Sequence, residues 1–175
     1  MRRPFTALTA AGAAAHHAYE LGAGVGLVWQ PQMGLPGSLA FWSVNLPALA
    51  WAAARAPERF DKPLAFAAGT GLGGMAVHFT IWPSTLRRGL PMLTDAEGLS
   101  ARQLPAYNAI LWFWALSSIA ALLREVPKGS RRWFVLGVSN ALFLRVSAKH
   151  HFRWAAEQAR TNPAWWNRGL QSRPA

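Results

Sequence analysis

The chain has 175 residues, of which 52% are hydrophobic and only 14% charged, against about a quarter charged in an ordinary soluble domain. Eighteen Lys and Arg oppose seven Asp and Glu, a formal charge of +11, and there is no cysteine. The missing thiols exclude disulfides, thiolate metal sites and thiol catalysis, and no nucleic-acid-binding motif accompanies the basic excess, which reads as loops beside anionic lipid.

The apolar residues fall into long runs instead of alternating with charge at helical or strand spacing, which is how membrane-spanning segments read. The first run, 5–29, is broken only by His16, His17, Tyr19 and Glu20. It is long enough to cross a bilayer, and it continues past the alanines at 13–15, which argues for an uncleaved helix over a removed leader. A neutral turn at 31–37 leads to a second run, 38–54, containing Asn45 and Pro47. A polar loop with prolines at both ends precedes the third run, 64–82, which stops at Pro83. The connection 84–105 holds Arg87, Arg88, Asp95, Glu97 and Arg102, and the fourth run covers 106–123. The fifth run, 133–148, is short and carries Ser139, Asn140 and Arg145. It reads either as a short span with Arg145 snorkelling to the interface or as a helix lying at the surface. A basic tail, 156–175, combines Arg160, Arg168 and Arg173 with Trp165 and Trp166, a pairing that membrane interfaces favour. His150-His151 falls in a basic stretch and reads as a solvated interfacial face.

These runs predict an all-α fold. The expected architecture is a polytopic helical membrane bundle, one domain over 1–155, with four firm transmembrane helices and a fifth short transmembrane or interfacial helix. The charge pattern places the N-terminus in the cytoplasm of a bacterial-type plasma membrane, with the loops at 55–62 and 124–132 inside. Arg87, Arg88 and Arg102 then fall outside, against the rule. Ala18, Gly22 and Gly26 on the first run, and Gly69 and Gly73 on the third, are spaced for close helix packing in lipid. Residues 69–74 also fit G-x-G-x-x-G, but no strand precedes them, so a dinucleotide site is excluded.

The polar cluster marks the candidate site. An ionisable side chain at mid-membrane depth costs roughly 2.5–3.5 kcal/mol, so it faces a cavity, a partner or a ligand. At about 1.5 Å per helical residue, His17, Glu20, Asn45 and His78 reach a common level just outward of the midplane. His16 and Glu20 are i, i+4, and His17 and Glu20 are i, i+3, so either ring reaches the carboxylate along one face. A His–Glu pair in low dielectric can share a proton, which suits acid–base catalysis, proton relay or the orientation of a ligating imidazole.

The sequence therefore nominates Glu20 as a catalytic acid/base with His16 and His17, and His78, Asn45, Tyr19 and Trp112 as substrate-binding residues. No residue is assigned to a metal and the cofactor stays open. The plain alternatives are a structural hydrogen-bond network around Glu20, Asn45 as interhelical glue, and Trp112-Phe113-Trp114 as lipid-facing packing. The functions compatible with this pattern are an enzyme that isomerises or cyclises an isoprenoid or other lipid-like substrate, a non-catalytic accessory subunit of a membrane complex, a haem or metal binder, and an oligomeric transporter. The expected partners are the lipid bilayer, a lipid-like small molecule, and a membrane protein or second copy of the chain; nucleic acid is not among them.

Overall fold

Helix α1 (Pro4–Ala23) opens on proline, whose missing N–H is no loss in a first turn. The computed structural model describes residues 1–171, so the last four residues of the expected tail, Arg173 among them, lie outside the described residues. The exposed N–H groups of this first turn are taken by the Glu125 carboxylate, at 2.5 Å from Phe5 N and 2.8 Å from Thr6 N. Arg3 ties the same end to the start of the third helix through Asp61, with Nε 3.0 Å from Oδ1. Its guanidinium also donates to the Ala56 carbonyl at 2.9 Å.

The helix ends at Gly24, whose φ of +80° is left-handed, and Gly26 follows at +86°. The expected span 5–29 is thus corrected: it is a helix to Ala23, then a buried loop carrying Val25 and Leu27. An L side chain is strained at these two angles, so Gly26, which read as part of a packing stripe, serves here with Gly24 to turn the chain.

Helix α2 (Gln30–Arg55) is broken at Gly34 (φ 67°, ψ 175°) and contains Pro36 and Pro47. The second apolar run lies beyond that kink. Helix α3 (Asp61–Ile81) crosses α5 (Arg131–Ser139) backbone to backbone. A Cβ on Gly69 would collide with the Phe134 carbonyl, one on Gly137 with the Phe66 carbonyl, and one on Gly73 would sit 2.7 Å from the Val138 oxygen. The small-residue spacing on the third run does serve close helix approach.

The connection 84–105, read as a polar loop, contains a hairpin of β1 (Ser84–Arg87) and β2 (Leu90–Leu93), paired Ser84↔Leu93 through Arg87↔Leu90. Arg88 (φ 52°) and Gly89 (φ 81°) make its two-residue turn, the double positive φ that a tight hairpin requires. Helix α4 (Leu104–Arg124) holds the hairpin: Asn108 Oδ1 accepts from Leu93 N at 2.8 Å, and its Nδ2 donates to the Leu93 carbonyl at 3.1 Å. The fifth run is also corrected. It bends at Asn140 between α5 and α6 (Ala141–Thr161), so no straight helix covers 133–148.

The molecule is mostly helical. Two of its helical segments, Glu58–Ile81 and Leu104–Arg124, are long and apolar enough to cross a membrane. Of the four firm transmembrane helices expected, these two have the length and hydropathy of a span. Helix α1 is built of small residues and carries His16, His17 and Glu20, α2 has two internal prolines, and α6 is basic. Large apolar side chains nonetheless face outward: Leu116 and Leu123 on α4, Val135 on α5, and Leu142 and Val146 on α6 are all more than half exposed.

Candidate functional site

Glu20 lies in the last turn of α1, where the buried loop from Gly24 closes over it. Its Oε1 accepts the phenolic hydrogen of Tyr107, from the first turn of α4, at 2.6 Å. Its Oε2 lies 3.3 Å from His16 Nε2, one helical turn back, and Oε1 lies 4.0 Å from His78 Nε2 at the end of α3. Three helices thus converge on one carboxyl group, and Glu20, His16 and Tyr107 are all at least nine-tenths buried.

Hydrogen bookkeeping shows what the cluster needs. His78 Nδ1 sits 3.1 Å from the Met75 carbonyl, which accepts only, so Nδ1 carries the hydrogen of the neutral ring. Nε2 then turns a lone pair toward Glu20. A lone pair facing a carboxyl oxygen requires a proton or a cation nearby, so the cluster is arranged to hold positive charge or a mobile proton.

The rings are braced by aromatics. His16 stacks on Trp114 with centroids 5.3 Å apart and meets His78 edge-on at 4.8 Å. The His17 ring lies 4.9 Å from that of His16 and 4.0 Å from Trp42, which in turn stacks on Trp29 at 5.0 Å.

The cluster forms part of the wall of a cavity of about 590 Å³. Elsewhere the wall is apolar and aromatic, with Trp29, Phe41 and Leu46 on one side and Phe66, Ile81 and Phe152 among the rest. A large apolar chamber with a few convergent polar groups is the usual form of a small-molecule site. Several buried polar atoms of lining residues have no partner among the described residues, including His16 Nδ1, His17 Nδ1 and Thr70 Oγ1.

Of the residues nominated from the sequence, Glu20, His16, His17, His78 and Asn45 all line this cavity. Asn45 is itself exposed, and its amide donates back to the Phe41 carbonyl at 2.8 Å. Tyr19 and Trp112 are placed elsewhere. The Tyr19 hydroxyl donates to the Gln103 carbonyl at 2.9 Å, while its ring stacks on Tyr107. The Trp112 indole donates to the Pro91 carbonyl at 3.0 Å and braces the hairpin. Trp114, two residues further along, is the α4 tryptophan on the cavity wall.

Sequence reasoning missed Tyr107, Trp42 and Trp114. Tyr107 is one of only two tyrosines, and its place at the head of a long apolar run was a usable signal, because a buried phenol seeks a partner. His151 is a correction: expected to be solvated, it is buried against the loop, with Nε2 3.2 Å from the Val25 carbonyl. Burial pulls its pKa down to about 4, so the ring is neutral at physiological pH.

Compared with protein-family models, with curated proteins and with solved structures, the chain gives no match.

Proposed function

We propose that this chain is a multi-pass membrane protein of a bacterial-type plasma membrane, N-terminus in the cytoplasm, that performs proton chemistry on an isoprenoid or similarly lipid-like molecule held in its cavity. One observation carries this reading: a buried carboxyl group, bonded to Tyr107 and flanked by His16 and His78, sits on the wall of an otherwise apolar chamber. The outward-facing Leu116, Leu123, Leu142 and Val146 support a lipid environment.

The chemistry follows from the groups present. Glu20, as the carboxylic acid, delivers its proton to one carbon of an alkene. The resulting cation loses a proton from a neighbouring carbon to His78 Nε2 or to His16, and the cluster returns it to Glu20. One C–H bond forms and one breaks, so isomerisation needs neither oxidant nor reductant. Tyr107 fixes the carboxyl group in place, and the indole faces of Trp42 and Trp114 favour the cation by about 0.5–2 kcal/mol. Asn45, on the same wall, orients the substrate.

The test is proton exchange. The full chain, reconstituted into vesicles, is incubated in D2O with the neutral isoprenoid fraction of a bacterial membrane, and the lipids are analysed by mass spectrometry. Carbon-bound deuterium that depends on Glu20, and disappears in a folded Glu20→Gln variant, is the expected result. Equal labelling with wild type, variant and empty vesicles rules the reading out.

One observation favours a second reading, a non-catalytic accessory subunit. Helix α1 presents Leu8, Ala11, Ala15, Ala18 and Gly22 outward on one face, and a Cβ on Gly22 would meet nothing. That face suits a partner helix or a second copy of the chain. Under this reading Gly22→Leu abolishes co-purification of a stoichiometric partner and leaves the isolated chain folded.

A further inference from the structure

The cluster around Glu20 has more lone pairs than hydrogens to satisfy them. His78 turns a bare Nε2 toward the carboxyl group. His16 faces it through Nε2 and buries Nδ1 without a partner, so either tautomer leaves one ring nitrogen unmatched. His17 adds another unmatched Nδ1, and both rings are more than nine-tenths buried. Each unmatched polar atom costs about 1–3 kcal/mol in a site dry of partners. A divalent cation would take one ring nitrogen from each of His16 and His17 together with the Glu20 carboxylate.

The geometry points to a metal site: we propose that His16, His17 and Glu20 bind one divalent first-row transition ion, with its remaining position open to the cavity beside His78. One ligand atom from each of the three lies within 4.8 Å of the other two. One edge, His16 Nε2 to Glu20 Oε2, is already 3.3 Å. A tetrahedral shell with bonds of about 2.0–2.1 Å has edges of about 3.3 Å, so the wider edges close with side-chain movements of about an ångström.

The ligand chemistry selects the class of ion. Two neutral imidazoles and one carboxylate suit zinc, cobalt or ferrous iron; magnesium and calcium prefer an all-oxygen shell. The outer shell has the form that such sites use. Tyr107 fixes the carboxylate from behind, and the Met75 carbonyl fixes the tautomer of His78. His78 Nε2, 4.0 Å from Oε1, is then placed to take a proton from whatever fills the open position.

This site goes beyond the proton-exchange reading and does not rest on it, because the ion would bind whether or not a lipid enters. With the ion bound, Glu20 would be a ligand in place of the acid, His78 would remain as the base, and the ion would supply Lewis-acid polarisation of an oxygen-bearing headgroup.

The experiment uses the full chain in detergent, without a polyhistidine tag, stripped by chelator and dialysed against cobalt(II) or zinc(II). One ion per chain by elemental analysis is expected, with visible ligand-field absorption for cobalt and a raised melting temperature with zinc that magnesium does not reproduce. His17→Gln removes a ring that packs on Trp42 and His16 and makes no hydrogen bond through Nδ1 among the described residues, and it should weaken cobalt binding at least tenfold. His16→Gln should abolish it. Wild-type protein that retains no ion above the buffer level overturns the site, as does binding unchanged in both variants. Lipid deuteration without a bound ion would overturn the metal site alone, and a bound ion without deuteration would overturn the proton-exchange reading alone.

Discussion

Tyr107 donates to Glu20 Oε1 at 2.6 Å, joining the first turn of α4 to the last turn of α1 deep inside the molecule. Removing the hydroxyl with Tyr107→Phe leaves the ring in place and one carboxyl oxygen without its donor. Stability should fall by about 1–3 kcal/mol, and deuterium exchange into lipid should fall by at least tenfold. Thermal melts and the labelling assay read these separately. Full exchange in a stable Tyr107→Phe protein would deny the hydroxyl any part in positioning Glu20.

The N-terminus of α1 depends on a residue at the far end of α4. Glu125 accepts from Phe5 N, Thr6 N and Thr6 Oγ1, where the helix dipole also favours a negative group. Glu125→Ala should cost about 1–2 kcal/mol, and hydrogen exchange should rise first at residues 5–8. Protection unchanged over that segment would show that the cap contributes nothing.

The glycines make a paired prediction. Gly69→Ala puts a methyl group into the Phe134 backbone where α3 and α5 touch, whereas Gly22→Ala places one in open space. The first should destabilise by about 1–3 kcal/mol through overpacking. The second should be neutral or slightly stabilising in the isolated chain, because alanine favours helix over glycine. Equal melting temperatures for the two variants would contradict the close α3–α5 crossing.

His151 sets a pH dependence. Its pKa falls to about 4 in the folded chain, from an ordinary value of 6.5, because burial disfavours the charged ring; His150 beside it adds a smaller repulsion. The unfolded chain therefore takes up this proton first as acid is added. The contribution of His151 to stability is complete above pH 6.5 and is lost as the pH falls from there toward 4, by about 3 kcal/mol in total. His151→Gln should flatten the difference in melting temperature between pH 7 and pH 4.5. A variant with the same acid sensitivity as wild type would mean that the ring titrates normally.

Much of the site was legible in the sequence, because helical spacing alone brings His16 to Glu20 and rarity marks both in an apolar run. The level of His78 followed from counting residues along α3. The break at Gly24 was not legible. A hydropathy pattern reads composition and not φ, and the apolar run continues through the turn, so Gly26 looked like a packing residue. The hairpin turn at Arg88-Gly89 was hidden for a similar reason: an arginine with positive φ has no compositional signature. Trp112 was chosen where Trp114 lines the cavity because the run around them is apolar on all sides. Two residues turn a helix by about 200°, and such a run gives no sign of which face looks inward. The bend at Asn140 lies between α5 and α6 inside one apolar run, where hydropathy records no turn.

The central claim is that the cavity beside Glu20 holds a lipid-like molecule, and native mass spectrometry of the gently extracted protein tests it most directly. Ala67 lines the cavity, so Ala67→Trp narrows it while leaving Glu20, His16 and His78 in place. The account predicts a bound apolar molecule on wild type and on Glu20→Gln, and markedly less of it on Ala67→Trp. A wild-type protein that carries no such molecule, or an Ala67→Trp protein that carries as much of it as wild type, would contradict the claim.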